Sequence, residues 1–193
     1  MPVFNLFIEQ SLGISHSGEV VAYGDGTVEL TDEQVQQLVA LIREHGGETN
    51  VKALQLQNAY PEIYQILDDA YRDVAQHAEY DYWVIEGYEN GWYEEPDDAV
   101  EKCQNKYGFK YVFDEVKYRE ENGMEPDEEI PEERIEDAQI DAFSDWVEDY
   151  RTKLTSEEEV SFLSDVFGIY PEVDDVDYEV RIPEEIIELA NKR

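Results

Sequence analysis

The sequence predicts a helix-dominated α+β fold with a small antiparallel sheet, formed by an N-terminal hairpin and one late strand. Over most of the chain, apolar residues recur every three or four positions, which is typical of amphipathic helices. Near the N-terminus and over 176–182 they instead alternate with polar residues, which is typical of half-exposed strands. Hydrophobic residues make up 41% of the 193-residue chain, enough for a packed core. We expect one compact domain over 1–193; if it divides, the division lies near the charged, proline-containing stretch 120–131.

The N-terminal part is predicted to form strands. Residues 20–23 and 27–30 flank Gly24-Asp25-Gly26, and Asp-Gly favours the positive φ of a tight hairpin turn. Three apolar residues that alternate with polar ones predict a further strand: Phe4, Leu6 and Ile8.

Three helices are predicted next. The first begins at Thr31, which has capping-box spacing to Gln34, and it ends at Gly46-Gly47, where glycine permits a left-handed cap. Its apolar stripe consists of Val35, Leu38, Val39 and Ile42. Pro61 suits the first position of a second, longer helix, and Pro96 the first position of a third.

The second half of the chain continues this pattern. A fourth helix is predicted from Glu132 to Leu154, and Ser156 and Glu159 have capping-box spacing for a fifth. Residues 109–113 alternate like a strand, although the same stretch also permits a helical interpretation. The late strand is followed by a last short helix that Pro183 begins.

The charge balance is strongly acidic, with 49 Asp and Glu against 14 Lys and Arg and a net charge of −35. Direct binding to DNA, RNA or an anionic membrane surface requires basic clusters, so the sequence argues against all three. No apolar run reaches the length of about 18 residues that a membrane span needs. The start, MPVFNLFIEQ, lacks the basic region of a secretory signal. Because Cys103 is the single cysteine, we expect a reducing, cytoplasmic location.

The main functional signal lies on the predicted fourth helix, where apolar residues fall on one side and acids on the other. The acids at four-residue spacing, here called the acidic row, are Glu133, Asp137, Asp141, Asp145 and Asp149. Glu148 lies beside the row, and Glu129 extends it upstream if the helix, or an extended lead-in, continues that far. Arg134 is the one base among 14 acids between residues 120 and 150. Like charges at this spacing each cost about 0.2–0.5 kcal/mol, so we expect that something other than stability selects them.

Carboxylates at intervals of about 6 Å along a helix resemble the regular negative charge of a nucleic-acid strand. In composition and size, the chain is similar to the acidic nucleic-acid mimics with which phages and mobile elements inhibit restriction, CRISPR or repair enzymes. This indicates a non-enzymatic inhibitor or regulator that binds the basic cleft of a nuclease, a restriction or CRISPR effector, or a similar protein. A homodimer would lengthen the acidic face. The alternative for one acidic helix is a solvated face that only keeps the protein soluble.

A second signal is the aromatic segment near residue 92, which is rich in Tyr, Trp and acids. Trp92 and Tyr93 are candidate anchors for a partner, because aromatic rings beside carboxylates can contact Arg and Lys. The neighbouring acids that would add to this contact are Glu94, Glu95, Asp97 and Asp98. The same aromatic residues can instead pack in the core, and a helix dipole explains the acids nearly as well.

The sequence contains no pattern that indicates catalysis, a metal or a cofactor. His16, His45 and His77 are scattered and form no HExxH or paired-His motif. No P-loop or GxGxxG occurs, and the acids at 175, 177 and 179 lack the glycine and glutamate that an EF-hand needs. Cys103 lies on an apolar stripe and is expected to pack as a small hydrophobe. We therefore predict no catalytic residue, no metal site and no cofactor.

Three alternatives stand beside the mimic hypothesis. The chain can be a generic interaction module whose target does not bind nucleic acid. It can be adapted to high intracellular salt, which the scarcity of lysine beside so many acids favours. It can also be a hydrolase, because 49 acids offer many carboxylate pairs.

Overall fold

The computed structural model describes residues 1–15, 18–47 and 51–192. In that part of the chain it contains eight α-helices and a two-stranded antiparallel sheet, so the helix-dominated α+β class is confirmed. In chain order the elements are β1 (Val3–Ser15), β2 (Gly18–Glu29), α1 (Asp32–Glu44), α2 (Ala53–Ala59), α3 (Pro61–Glu89), α4 (Ala99–Lys102, continued by a π-helical turn over Cys103–Tyr107), α5 (Glu115–Asn122), α6 (Glu132–Arg151), α7 (Ser156–Phe167) and α8 (Glu184–Asn191).

The chain forms two compact units. The first consists of Met1–Trp83 with Pro171–Arg193 and contains both strands, α1, α2, most of α3 and α8. The second is Val84–Tyr170 and contains the end of α3 and α4 to α7. The stretch 120–131 lies inside the second unit, where it holds the end of α5 and the loop before α6.

The first unit has its core between the hairpin and three helices. Side chains along β1 alternate between exposed and buried, as the sequence predicts, and the buried ones meet the apolar stripes of α1, α3 and α8. Large members of this core are Phe4, Leu6, Leu30, Leu38, Ile42, Leu67 and Ile186. The predicted capping box of α1 is confirmed, since Thr31 Oγ1 accepts from Gln34 N at 3.2 Å and Gln34 Oε1 accepts from Thr31 N at 2.8 Å. The helix starts predicted at Pro61 and Pro183 are also confirmed.

The turn predicted at Gly24-Asp25-Gly26 is wrong, because β2 runs through these residues without a break and the hairpin joins β1 to β2. The glycines serve instead to let β2 lie close to α3. A Cβ atom at Gly24 would stand 2.9 Å from the Cβ of Ala78, and one at Gly26 would collide with Cγ2 of Val74. Glycine is needed here because it has no Cβ and lets the strand lie close to the helix. The same residue is also favoured in tight turns, so the sequence pattern alone does not distinguish the two.

We expect Gly26→Ala to lower the free energy of unfolding by about 1–3 kcal/mol, because the added methyl overpacks the contact with Val74. Urea unfolding of Gly26→Ala, Val74→Ala and the double variant measures this. In the Val74→Ala background the Gly26→Ala change should cost much less. An equal cost in both backgrounds would show that the two residues do not meet.

The predicted late strand over 176–182 is also wrong. The segment, all of it described, alternates between exposed and buried or half-buried side chains as the pattern indicates, but it joins no sheet. Alternation reports an extended chain with one buried face, whereas a strand also needs a hydrogen-bonded neighbour. Residues 109–113 likewise form no strand.

Two predicted helix starts are displaced in the second unit. α4 begins at Ala99, because the carbonyl of Pro96 accepts from the Ala99 N–H at 3.0 Å and closes a turn before the helix. The N-cap of α7 is Thr155 and not Ser156, with Thr155 Oγ1 accepting from Glu158 N at 3.3 Å. Both Thr155 and Ser156 stand three residues before a glutamate, so the sequence pattern fits either residue.

The core of the second unit is largely aromatic. Rings from the π-helical turn, α6 and α7 pack edge-to-face or stacked, with centroids 4.8 Å apart for Trp146 and Tyr150 and 4.9 Å apart for Tyr107 and Phe162. The cluster also includes Phe109, Phe143, Phe167, Tyr88 and Tyr93. None of the helices in the described ranges combines the length and the apolar character that a membrane crossing requires.

Candidate protein-interaction surface

α6 turns its apolar side to the core of the second unit and its acidic side to solvent. Phe143 and Val147 are buried, while Trp146 and Tyr150 are half-buried. All five side chains of the acidic row are exposed, and so is Glu148. The helix therefore presents a row of carboxylates to solvent, and its opposite side is fixed by ring contacts with residues outside α6.

The acidic row crosses the solvent face of α6 diagonally. Successive members lie about 6 Å apart along the axis, and the whole row spans about 24 Å. Each step of four residues also moves about 40° around the axis, because an α-helix has 3.6 residues per turn. Asp141 therefore lies at the middle of the solvent face, while Glu133 and Asp149 lie near its two flanks.

The acids of α6 are as dense as the phosphates of one nucleic-acid strand. The helix has a length of about 30 Å and carries eight acids. They are Glu132, Glu133, Glu136, Asp137, Asp141, Asp145, Glu148 and Asp149. One strand of duplex DNA carries a phosphate every 3.4 Å or so, which gives about nine charges over the same length. The number of negative charges per unit length on α6 is therefore similar to that of one nucleic-acid strand.

Most of the acidic row has no compensating base. Within the described residues, its first four members make no ion pair. Asp149, the last member, pairs with Lys153 one turn further along the chain. Arg134, the one base in the N-terminal half of α6, is itself exposed. The first four carboxylates of the row are therefore exposed and held in no described ion pair.

Arg151, at the C-terminal end of α6, joins acids from three helices. It bonds to Glu89 of α3 at 3.2 Å, Glu148 of α6 at 3.2 Å and Glu159 of α7 at 2.7 Å. Its side chain is 12% exposed, and its Cζ lies 4.6 Å from the centre of the Tyr88 ring. Burial alone would lower the pKa of the guanidinium, but the bonds to the three acids outweigh it and hold the pKa above its ordinary value. Arg151 thus keeps its positive charge, and its ion pairs hold this end of α6 against α3 and α7.

The aromatic segment adjoins the same end of α6. The Tyr93 ring stacks on Tyr88 with centroids 5.7 Å apart, and Tyr88 Oη donates to Glu148 Oε1 at 3.1 Å. Burial and the nearby Glu148 raise the pKa of Tyr88, so its phenol stays protonated as a donor. Tyr93 is half-buried and serves packing, whereas Trp92 is 65% exposed. Of the two predicted anchors, Trp92 is therefore the more exposed.

The remaining predicted contact residues lie outside α6. The exposed acids of this group are Glu94, Glu95, Asp97, Asp98 and Glu129. Asp98 pairs with Lys102 at 3.3 Å, which reduces its charge toward a partner. Glu129 lies in the loop before α6, so it does not continue the helical spacing of the row.

Sequence patterns did not identify Arg151, Tyr88 or Glu159 as supports of this surface. The three-residue spacing of Glu148 and Arg151 is the one local signal for an ion pair. The bonds from Arg151 to other helices depend on how those helices meet, and no short sequence window contains that information.

The histidines and the cysteine that the structure describes make contacts that hold the fold together. In the ranges that the structure describes, no group of three or more His, Cys, Asp or Glu is arranged to hold a metal ion. His45 Nδ1 lies 2.9 Å from Leu41 O, and His77 Nδ1 lies 2.7 Å from Asp73 O, while His16 is outside the described residues. Burial raises the pKa of the Cys103 thiol to about 12, so it packs as a neutral hydrophobe.

Comparison of the chain with protein-family models, with curated proteins and with solved structures gives no match in any of the three. A function for the protein is therefore inferred from the geometry and charge of these residues.

Proposed function

We propose that the protein is a non-enzymatic inhibitor or regulator that acts in the cytoplasm and occupies the basic, nucleic-acid-binding cleft of a DNA- or RNA-processing protein. The acidic row on α6 is its main contact. The observation that carries the proposal is the density of exposed, largely uncompensated carboxylates on one well-packed helix.

The repulsion between the carboxylates of the acidic row favours a role in binding a basic partner over a role as a solvated face. Neighbouring members of the row repel one another by about 0.2–0.5 kcal/mol each, and only Asp149 has a described base to relieve that cost. A cleft lined with Arg and Lys would relieve it on binding. The same charges, supported by the net −35 of the chain, would speed the encounter through long-range attraction.

The exposed Trp92 gives the contact an apolar component. A tryptophan ring attracts guanidinium and ammonium groups, and Trp is enriched among residues that dominate binding energies. Tyr93 supports the surface indirectly through its stack on Tyr88, whose phenol donates to Glu148. We therefore propose that Trp92 contacts the partner and that Tyr93 does not.

Affinity capture from a lysate of the source cells tests this function. The protein is immobilised, and bound proteins are washed at low and high salt with and without duplex DNA. We expect retention of a basic nucleic-acid-binding protein that is released by salt and displaced by DNA. A partner that DNA does not displace would support a generic interaction module instead.

A further inference from the structure

The edge of β1 that does not pair with β2 is open at Phe7 and Glu9. Asn5 shows which way the backbone points, because its N–H donates to Glu185 Oε1 at 3.2 Å, on the side away from β2. In an antiparallel pair every second residue points its backbone groups the same way, so those of Phe7 and Glu9 also point away from β2. Among the described residues, nothing bonds to them there. Two N–H and two C=O groups are therefore available to a further strand.

The same edge is protected on both sides of this open stretch. The Glu185 carboxylate covers it at Asn5, where it accepts from the backbone N–H and also from Nδ2 at 2.7 Å. At the other end, a shift of the pairing register between Ser11 and Gly13 interrupts the ladder. Native proteins usually cover or interrupt a free strand edge, because an open edge pairs with other chains. The unprotected stretch between these two devices is thus a candidate pairing site.

A cleft of about 390 Å³ lies along the open stretch. One wall is residues 7–9 of β1, and the other is formed by residues from the extended segment 177–181. This segment alternates between exposed and buried or half-buried side chains, as a strand in a sheet does, yet within the described chain it joins no sheet. The cleft therefore separates the edge of a two-stranded sheet from a strand-like segment that has no strand beside it.

The walls of the cleft are acidic on the solvent side. Glu9 and Asp177 are exposed, and neither is held in a described ion pair. Arg181, the one base among the described residues that line the cleft, bonds to Glu179 at 2.7 Å. A strand added to β1 would place every second side chain on this solvent side, between the two walls. Lysine or arginine at those positions would meet opposite charge, whereas acids would be repelled.

We propose that this cleft takes up an extended, basic segment of a partner protein, which adds to β1 as a further strand through the backbone of Phe7 and Glu9. Main-chain hydrogen bonds hold the segment, and the acidic walls select lysine or arginine at alternate positions. A second copy of this chain is disfavoured, because each copy carries a net charge of −35. The cleft lies wholly in the first unit, so the inference does not depend on the function proposed for α6.

The test adds a blocked peptide of about six alternating lysine and valine residues to the full chain and follows amide hydrogen exchange by ¹H–¹⁵N NMR. We expect the peptide to slow exchange at Phe7 and Glu9 by about tenfold or more. The amides of Leu6 and Ile8, which point to β2, are the internal control and should not change. The variant with the acidic row changed to amides should give the same result, because α6 is not the binding site.

Modified peptides separate strand pairing from attraction between charges. Two peptides of the same sequence, one N-methylated at its lysines and the other at its valines, keep the charge but each lack the N–H donors of one edge. An antiparallel strand pairs with β1 through its lysine residues and a parallel strand through its valine residues. At least one of the two should therefore bind about tenfold more weakly than the unmodified peptide. A peptide with glutamate in place of lysine should not bind.

Variants of the hairpin define the edge that is used. Glu9→Pro removes an outward N–H without removing a bond to β2, and it should weaken binding about tenfold. Glu9→Gln, which removes only the charge, should weaken it about threefold or less. Thr27→Pro is the matched control, because Thr27 has the same kind of outward position on the far edge of β2; it should alter binding less than about twofold.

Three results would overturn the inference. The first is equal binding of the methylated and unmodified peptides, which would show attraction between charges alone. The second is binding without protection of Phe7 and Glu9, which would place the peptide elsewhere. The third is protection of both amides before peptide is added, in a dimer seen by sedimentation, which would identify a second copy as the occupant. Because each readout is on β1, none of these results bears on the function proposed for α6.

Discussion

Replacing all five members of the acidic row by their amides should stabilise the fold and weaken partner binding at the same time. The change removes four like-charge neighbours at i, i+4 spacing, and we expect the free energy of unfolding to rise by about 1–2 kcal/mol. Binding to the partner retained by affinity capture should weaken on the order of a hundredfold, the sum of five contacts of about 0.2–1 kcal/mol each. Urea unfolding measures the first quantity, and titration calorimetry at low salt measures the second.

A matched control separates this surface from the overall charge. The control variant changes five exposed acids of the first unit to amides and so reduces the net negative charge of the chain by the same amount. These acids are Glu9, Glu19, Glu29, Glu44 and Asp174. That variant should lose only the long-range part of the attraction, seen as a slower association rate with little change in dissociation. If both variants bind equally well, the acidic row is a solvated face and not a contact surface.

Replacing Arg151 by Met should lower the free energy of unfolding of the second unit. It keeps the apolar stem but leaves Glu89, Glu148 and Glu159 together without their shared base. Glu89 and Glu148 are themselves mostly exposed and Glu159 is half-buried, so the charges left behind stay partly hydrated and the loss should be about 1–3 kcal/mol. Because the chain forms two units, unfolding should be followed by a probe in each, and the loss should appear in the second-unit transition.

Lys153→Met is the control for the Arg151 change. It also removes a base that pairs with an acid of α6, but Lys153 and Asp149 are both mostly exposed, so the cost should stay below about 1 kcal/mol. Adding Glu148→Gln and Glu159→Gln to Arg151→Met should recover part of the loss, because fewer unpaired charges remain. A loss no larger than that of Lys153→Met would contradict the role of Arg151.

Local patterns predicted most of the helices because helix starts depend on residues close in sequence. Thr31 with Gln34 is such a case, since both halves of the cap lie within four residues. Gly24 and Gly26 are the opposite case. Their meaning depends on Val74 and Ala78, about fifty residues away, so a pattern that permits a turn could not reveal a close contact of strand and helix.

The same distinction applies to the candidate surface. The exposure of the acidic row follows from the 3.6-residue periodicity of one helix, and the sequence predicts it. The split between Trp92 and Tyr93, adjacent residues of similar type, could not be predicted, because it depends on the ring of Tyr88 and on Phe167.

This protein and a nucleic acid should compete for one basic cleft of the partner. Fluorescence anisotropy of a labelled duplex bound to the captured partner tests that competition most directly. On addition of this protein, we expect a fall of the anisotropy to the value of free duplex, with no ternary complex. A rise of the anisotropy, from a complex that contains both proteins and the duplex, would contradict the proposed competition.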